Sequence, residues 1–274
     1  MHFFSPLAIF AAAASSVQAQ VPIPKAPLGF TYGNGSATAP VQLEVFFDLL
    51  CPDSKAAYPG LQDLAAKLSP QQFRLRIHQF PLPYHQQAYS FAEATRTITH
   101  ALGDQAFTPW LEAVYGVQAQ YWNEATENLG QKQVTDRIRK LAKATFPRLT
   151  DAQWKAGMSG HGGGPRDSDT RTEWKHACTR GISGTPQYLL NDVPIEADST
   201  WTAAQWLDFL KPLLHVDAAV VAMSAKAAPA DDTTTTTEST SAWHVAAYVV
   251  GGAAAGVGAV LAAQRTRRDY DRLT

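Results

Sequence analysis

Two cysteines in 274 residues cannot staple a small scaffold, so a hydrophobic core has to hold this chain together. Charge of either sign is not in excess. Lys and Arg number 23 against 24 Asp and Glu, for a formal net charge of −1. With no basic stripe, this balance removes the case for a nucleic-acid partner. The eight histidines never pair at metal-ligand spacing, and no metal site is expected. The phosphate-cradling G-x-x-x-x-G-K-[ST] and the nucleophile elbow G-x-S-x-G are both absent. His161 sits in the glycine loop Gly160 to Pro165, which matches no phosphate motif. No internal repeat is visible, and long uncharged apolar runs occur only at the two ends.

Those ends carry targeting signals. Residues 1–19 read as a signal peptide: an apolar stretch from Leu7 to Ala14 precedes the small-x-small step Val17-Gln18-Ala19. The stretch is too short to span a bilayer. At the other end, Val245 to Ala263 is 19 residues without a charge, near the length that crosses ~30 Å of hydrocarbon. Arg265, Arg267, Arg268 and Arg272 follow it, while Asp231, Asp232 and Glu238 precede it. Basic flanks stay cytoplasmic. A transmembrane helix over 244–264 therefore leaves residues 265–274 in the cytoplasm and the body lumenal or extracellular. A removable lipid-anchor signal would end apolar, and this tail ends charged. Gly252 and Gly256 form G-x-x-x-G, a thin basis for a homodimer in an Ala- and Gly-rich segment. Residues 216–243, with Thr233 to Thr237, read as an unpacked stalk. Asn34-Gly35-Ser36 is a glycosylation acceptor on the secretory route.

Between the ends, about two hundred residues suit one domain, or a domain with an insertion. Residues 20–40 read as a Pro- and Gly-rich arm. Val41 to Asp48 alternates and then becomes continuously apolar, as an interior strand does. Ala57, Leu61, Leu64, Ala65 and Leu68 fall at helical spacing, and Phe73 to His78 alternates again. Strand, helix and strand of these lengths predict a parallel βαβ unit. Residues 84–180 show helical stripes, one opened by the capping box Thr150-x-x-Gln153. A strand at 187–190, a turn at Asn191-Asp192 and a strand at 193–195 predict a hairpin. A last helix follows Thr202-x-x-Gln205. The class is α/β.

Chemistry concentrates where the first strand meets the first helix. Cys51 is placed to cap that helix, with Pro52 at its first position, where a missing N–H costs nothing. Unsatisfied N–H groups at a helix start favour a thiolate, the form that attacks disulfides. This placement predicts an exposed, reactive Cys51, the alternative being a buried structural cysteine. Asp53 opposes a second negative charge there. Ser54 cannot form a disulfide; its hydroxyl can only hydrogen-bond the neighbouring sulfur. Cys178 is the one other sulfur available for a bridge to Cys51, the alternative being a small apolar contact on a helix face. Thr185-Pro186 suits a cis peptide, and His85 is placed to line the cleft or to serve as a surface or capping residue.

Three stretches carry a resemblance: Phe46-Phe47-Asp48-Leu49-Leu50-Cys51-Pro52, Phe80-Pro81-Leu82-Pro83-Tyr84-His85, and Gly181-Ile182-Ser183-Gly184-Thr185-Pro186. Together they resemble the DsbA-like branch of the thioredoxin superfamily over about residues 41–214. The resemblance implies a thioredoxin-like fold in two parts, 41–83 and 181–215, with an all-helical insertion at 84–180. It implies Cys51 as the attacking thiol and Pro186 as a cis-proline, with Thr185, Pro52, Asp53 and His85 near the substrate. Ser54 stands where the resolving cysteine belongs, and Val45 where relatives often bury an acid. Three readings follow. The chain is a monothiol redox protein acting on thiol-bearing clients or glutathione, a non-catalytic peptide- or protein-binding module, or a glutathione-dependent transferase or isomerase. No cofactor is required, with glutathione the candidate small thiol.

Overall fold

A computed structural model describes residues 22–24, 26–158 and 163–214. In chain order the elements are β1 (Phe30–Thr31), β2 (Val41–Phe47), α1 (Pro52–Lys67), β3 (Phe73–Gln79), α2 (Ala88–Leu102), α3 (Phe107–Val117), α4 (Asn123–Thr126), α5 (Gln131–Thr145), α6 (Asp151–Gly157), α7 (Pro165–Thr179), β4 (Gln187–Leu190), β5 (Val193–Ile195) and α8 (Ala203–Leu214). The expected signal peptide, stalk, transmembrane helix and cytoplasmic tail lie outside the described residues, as does His161. Among the described residues no helix is long and apolar enough to cross a membrane.

The sheet runs β1-β3-β2-β4-β5, with β2 at its centre. β2 and β3 are parallel, Val41 opposite Phe73, and are joined through α1. The other pairings are antiparallel. Val41, Leu43, Val45 and Phe47 alternate onto one face, where they meet Leu61 and Leu64 of α1, Trp206 and Leu210 of α8, and the large apolar residues of α2, α3 and α5. Phe46 faces the other way, into a smaller cluster with Cys51, Phe80, Leu82, Ala177, Ile182 and Leu189. Burial on both faces explains why the strand's alternation ends in two adjacent phenylalanines.

Local chemistry sets the boundaries. Thr150 and Gln153 bond reciprocally at the start of α6, and Thr202 and Gln205 do so before α8. Asn191 and Asp192 have φ of 46° and 68°, the two left-handed residues of a type I′ hairpin turn. Asn191 also ties that turn to β2, its Oδ1 accepting from the Gln42 N–H at 2.8 Å and its Nδ2 donating to the Pro40 carbonyl at 3.0 Å. At Gly60 of α1, a Cβ would stand 2.1 Å from the Trp201 carbonyl oxygen. Only glycine lets the segment leading into α8 approach this closely.

One element escapes the sequence expectation. The arm at 20–40 contains β1, which adds an edge strand beside β3, with Phe30 opposite Ile77. Phe30 is buried and stacks on Phe107, ring centroids 4.1 Å apart. Two residues are too few to leave a period, so the strand is set by tertiary packing.

Candidate functional site

Cys51 caps α1 with extended backbone, φ −74° and ψ 123°. Its own amide donates to the Asp48 carbonyl at 3.1 Å, closing the turn that carries the chain from β2 into the helix. The Cys51 Sγ donates to the Thr185 carbonyl at 3.4 Å. The Thr185–Pro186 peptide is cis. The structure thus brings together the helix start, the sulfur and the Thr-Pro turn, which lie 134 residues apart in sequence. The thiol is not the freely exposed group the sequence led us to expect. Cys51 is 5% exposed, enclosed by the Phe46, Phe80, Leu82, Ile182 and Leu189 cluster. Pro52 and Asp53 stand outside on the exposed rim of the helix.

Ser54 also departs from expectation. Its hydroxyl is fully buried and accepts from the Asp48 N–H at 3.3 Å. It stabilises the strand–helix turn, and no bond from it to the Cys51 sulfur is formed. Cys178 is a free, exposed thiol on α7, and Cys51 is free as well. The bridge between them is therefore not made, and Cys178 is no buried helix-face contact. What burial there is pushes the Cys178 thiol above its ordinary pKa, away from nucleophilic character.

The residue that organises the site is one the sequence reading passed over as part of a strand. The Asp48 side chain is wholly buried. Its Oδ1 accepts from the Leu50 N–H at 2.8 Å, and its Oδ2 from the Leu82 N–H at 3.0 Å and from His85 Nδ1 at 2.7 Å. One carboxylate thus joins the end of β2, the Pro81-Leu82-Pro83 loop and the imidazole. Gln118, also buried and also missed, donates its Nε2 to the carbonyls of Leu49 (2.9 Å) and Cys51 (3.0 Å), tying the helical region to the cysteine turn. An acid inside Phe-Phe-Asp-Leu-Leu is a legible warning of a buried, partnered charge. Nothing local marks Gln118.

The Tyr115 hydroxyl is buried nearby and has no hydrogen-bond partner among the described residues. Burial, together with the charges of Asp48 and Cys51, holds it well above the usual phenol range. It is a neutral wall of the site. His85 is partly exposed, with 21% of its side chain accessible. It lines a cavity of about 220 Å³ with Leu50, Pro52, Trp122, Asn123 and Glu124. Tyr84 stands edge-on to the imidazole at 5.0 Å. Asn34, of the sequence Asn34-Gly35-Ser36, is exposed in a turn after β1. Among the described residues no group of three or more His, Cys, Asp or Glu is placed to hold a metal ion.

Residues 29–210 match the family described as thioredoxin. Among solved structures, the fold is similar to a candidate protein-disulfide isomerase from Pseudomonas syringae, with a TM-score of 0.56 at 19% identity, covering 66% of this chain and 97% of that one. It is also similar to alpha-DsbA1 of Wolbachia pipientis, with a TM-score of 0.54 at 14% identity, covering 74% and 96%. No curated protein matches the chain. Residues 29–210, with helices between β3 and β4 and a cysteine facing a cis-proline turn, place this chain in the thioredoxin family, in the DsbA-like form of its fold.

Proposed function

We propose that this protein performs monothiol thiol–disulfide exchange through Cys51, on thiol-bearing protein clients or glutathione. The observation that carries the reading is the Cys51 sulfur at the start of α1, against the Thr185 carbonyl beside cis-Pro186. Residue 54 is a serine, so no second sulfur shares the helix start, and its hydroxyl turns to Asp48. Chemistry then runs in two halves. The Cys51 thiolate attacks one sulfur of a client or glutathione disulfide; a Cys51–client disulfide forms, and the other sulfur leaves as a thiolate. An external thiol then attacks the client sulfur, a new disulfide departs, and Cys51 is regenerated. One disulfide is broken and one formed in each half, with no outside oxidant. The reading extends to the secretory route, with residues 244–264 as a single membrane anchor and Asn34 glycosylated on the lumenal or extracellular side.

The test is intact-mass analysis after exposure to oxidised glutathione. One glutathione adduct, mapped to Cys51 and abolished in Cys51→Ala, is expected. An adduct on Cys178 alone, or none on the wild type, overturns the reading. Burial of Cys51 favours a second reading, a non-catalytic binding module that keeps the Thr-Pro turn for an extended peptide. In that case Cys51→Ala retains the same clients as the wild type, with no mixed disulfide in either.

A further inference from the structure

The pairing of Asp48 with His85 has a chemical consequence for the second half of the exchange. We propose that His85 is the base that takes the proton from the external thiol discharging Cys51, and that the cavity beside it receives that thiol. The inference rests on the monothiol reading above and names the group that reading leaves without an agent. A dithiol enzyme resolves its mixed disulfide with a second cysteine held in place. Here an alkyl thiol must arrive from solvent, and with a pKa of about 8.5 it is mostly protonated at neutral pH. Only the thiolate attacks. Ser54 cannot serve, because its hydroxyl is sealed and engaged by the Asp48 amide.

His85 meets the requirements. Asp48 is buried, and its Oδ2 receives His85 Nδ1 at 2.7 Å. That bond places a proton on Nδ1, so that in the neutral ring the lone pair lies on Nε2, the same tautomer control that orients a general base in acyl transfer. The carboxylate cannot turn away, since the Leu50 and Leu82 amides hold both its oxygens. The backbone holding the ring is pinned too: Asn123 Oδ1 accepts from the Gln86 N–H at 3.0 Å, and its Nδ2 donates to the Tyr84 carbonyl at 2.9 Å. His85 lines the cavity whose apolar walls are Leu50, Pro52 and Trp122. Leu50 and Pro52 flank Cys51 in the chain, so the cavity borders the strand–helix turn that carries the reacting cysteine. About 220 Å³ accommodates a small alkyl thiol or the side chain of a peptide cysteine.

The step balances. The incoming thiol gives its proton to His85 Nε2, and its sulfur attacks the client sulfur of the Cys51 mixed disulfide. The new disulfide leaves, and Cys51 departs with the electron pair. The imidazolium proton then passes to the Cys51 sulfur or to water.

The protein is loaded at Cys51 with glutathione, and release is timed at pH 7 with two thiols. Mercaptoethanol is mostly protonated there; thionitrobenzoate is already ionised. The main variant is His85→Asn, whose side-chain amide can still donate to Asp48 but lacks Nε2; Asp48→Asn is the second. Loading of each variant reports an intact site. For His85→Asn we expect release by mercaptoethanol to fall on the order of 100-fold, the lower end of general-base contributions. Release by thionitrobenzoate should stay within about twofold. Equal slowing with both thiols, or no slowing with either, overturns the assignment of His85 while leaving the monothiol reading in place. A wild type that cannot be loaded overturns both.

Discussion

Asp48 shows how much one buried carboxylate can decide. It is a charge in an apolar run, and a charge in that setting persists only when its acceptor sites are filled. Three donors fill them, from Leu50, Leu82 and His85. Replacing it by alanine leaves two backbone N–H groups buried without partners, each costing about 1–3 kcal/mol. We therefore expect Asp48→Ala to lower unfolding free energy by about 2–4 kcal/mol in urea titration. A loss under about 1 kcal/mol would mean that water replaces the carboxylate and that Asp48 does not hold the site. The sequence shows that Asp48 must have partners but not which ones. Leu82 and His85 lie 34 and 37 residues away, beyond anything spacing can report. The same limit explains the misreading of Ser54, whose hydroxyl faces either the sulfur or the strand according to a rotamer that composition does not encode.

The start of α1 is legible because capping is local: Cys51-Pro52 fixes the boundary, and the apolar positions that follow fix the buried face. The Asn191-Asp192 turn is legible for the same reason, since few residues adopt two successive left-handed conformations. β1 is not legible, because it is two residues stabilised by a distant ring. The helix start also sets what a single substitution can restore. Cys51 and residue 54 occupy the cap and third positions of one helical turn, the spacing at which side chains meet. Ser54→Cys places a second sulfur within the Cα separation that a disulfide needs. Mild oxidation should then remove two thiols from the count in a native-state titration and prevent glutathione loading at Cys51. Persistent loading under those conditions would show the introduced sulfur turned to Asp48 as the hydroxyl is. The lost Asp48–Ser54 bond should cost about 1 kcal/mol in the reduced form.

Across the whole molecule, an ionic network behind the sheet joins parts that the chain order keeps separate. Glu44 of β2 contacts His78 of β3 at 2.6 Å and Arg180, just past α7, at 2.7 Å. Arg180 also reaches Asp192 in the β4–β5 turn at 2.7 Å, and Arg96 of α2 reaches Glu173 of α7 at 3.1 Å. The Arg180 link matters for the site, because the chain runs from that residue straight into the Thr185–Pro186 turn. Burial alone would raise the Glu44 pKa, but the His78 and Arg180 bonds outweigh it and bring it down to about 2 from an ordinary 4.5. A carboxyl depressed on folding stabilises the native state above its unfolded pKa, and that contribution fades as pH falls toward the folded value. Stability should therefore decline between about pH 4.5 and about pH 2 in part through this one group. Glu44→Gln keeps the shape and removes the charge, leaving a buried imidazole and a half-buried guanidinium less well paired. We expect a loss of about 1–3 kcal/mol at pH 7, discounted from the full cost of an orphaned buried charge because Glu44 is partly open to solvent. The sharper measurement is the slope. Urea midpoints followed from pH 5 to pH 2.5 should fall less steeply in Glu44→Gln than in the wild type, the two curves converging as acid neutralises the wild-type carboxylate. Parallel curves would place the acid sensitivity elsewhere and leave Glu44 a surface pair of little weight.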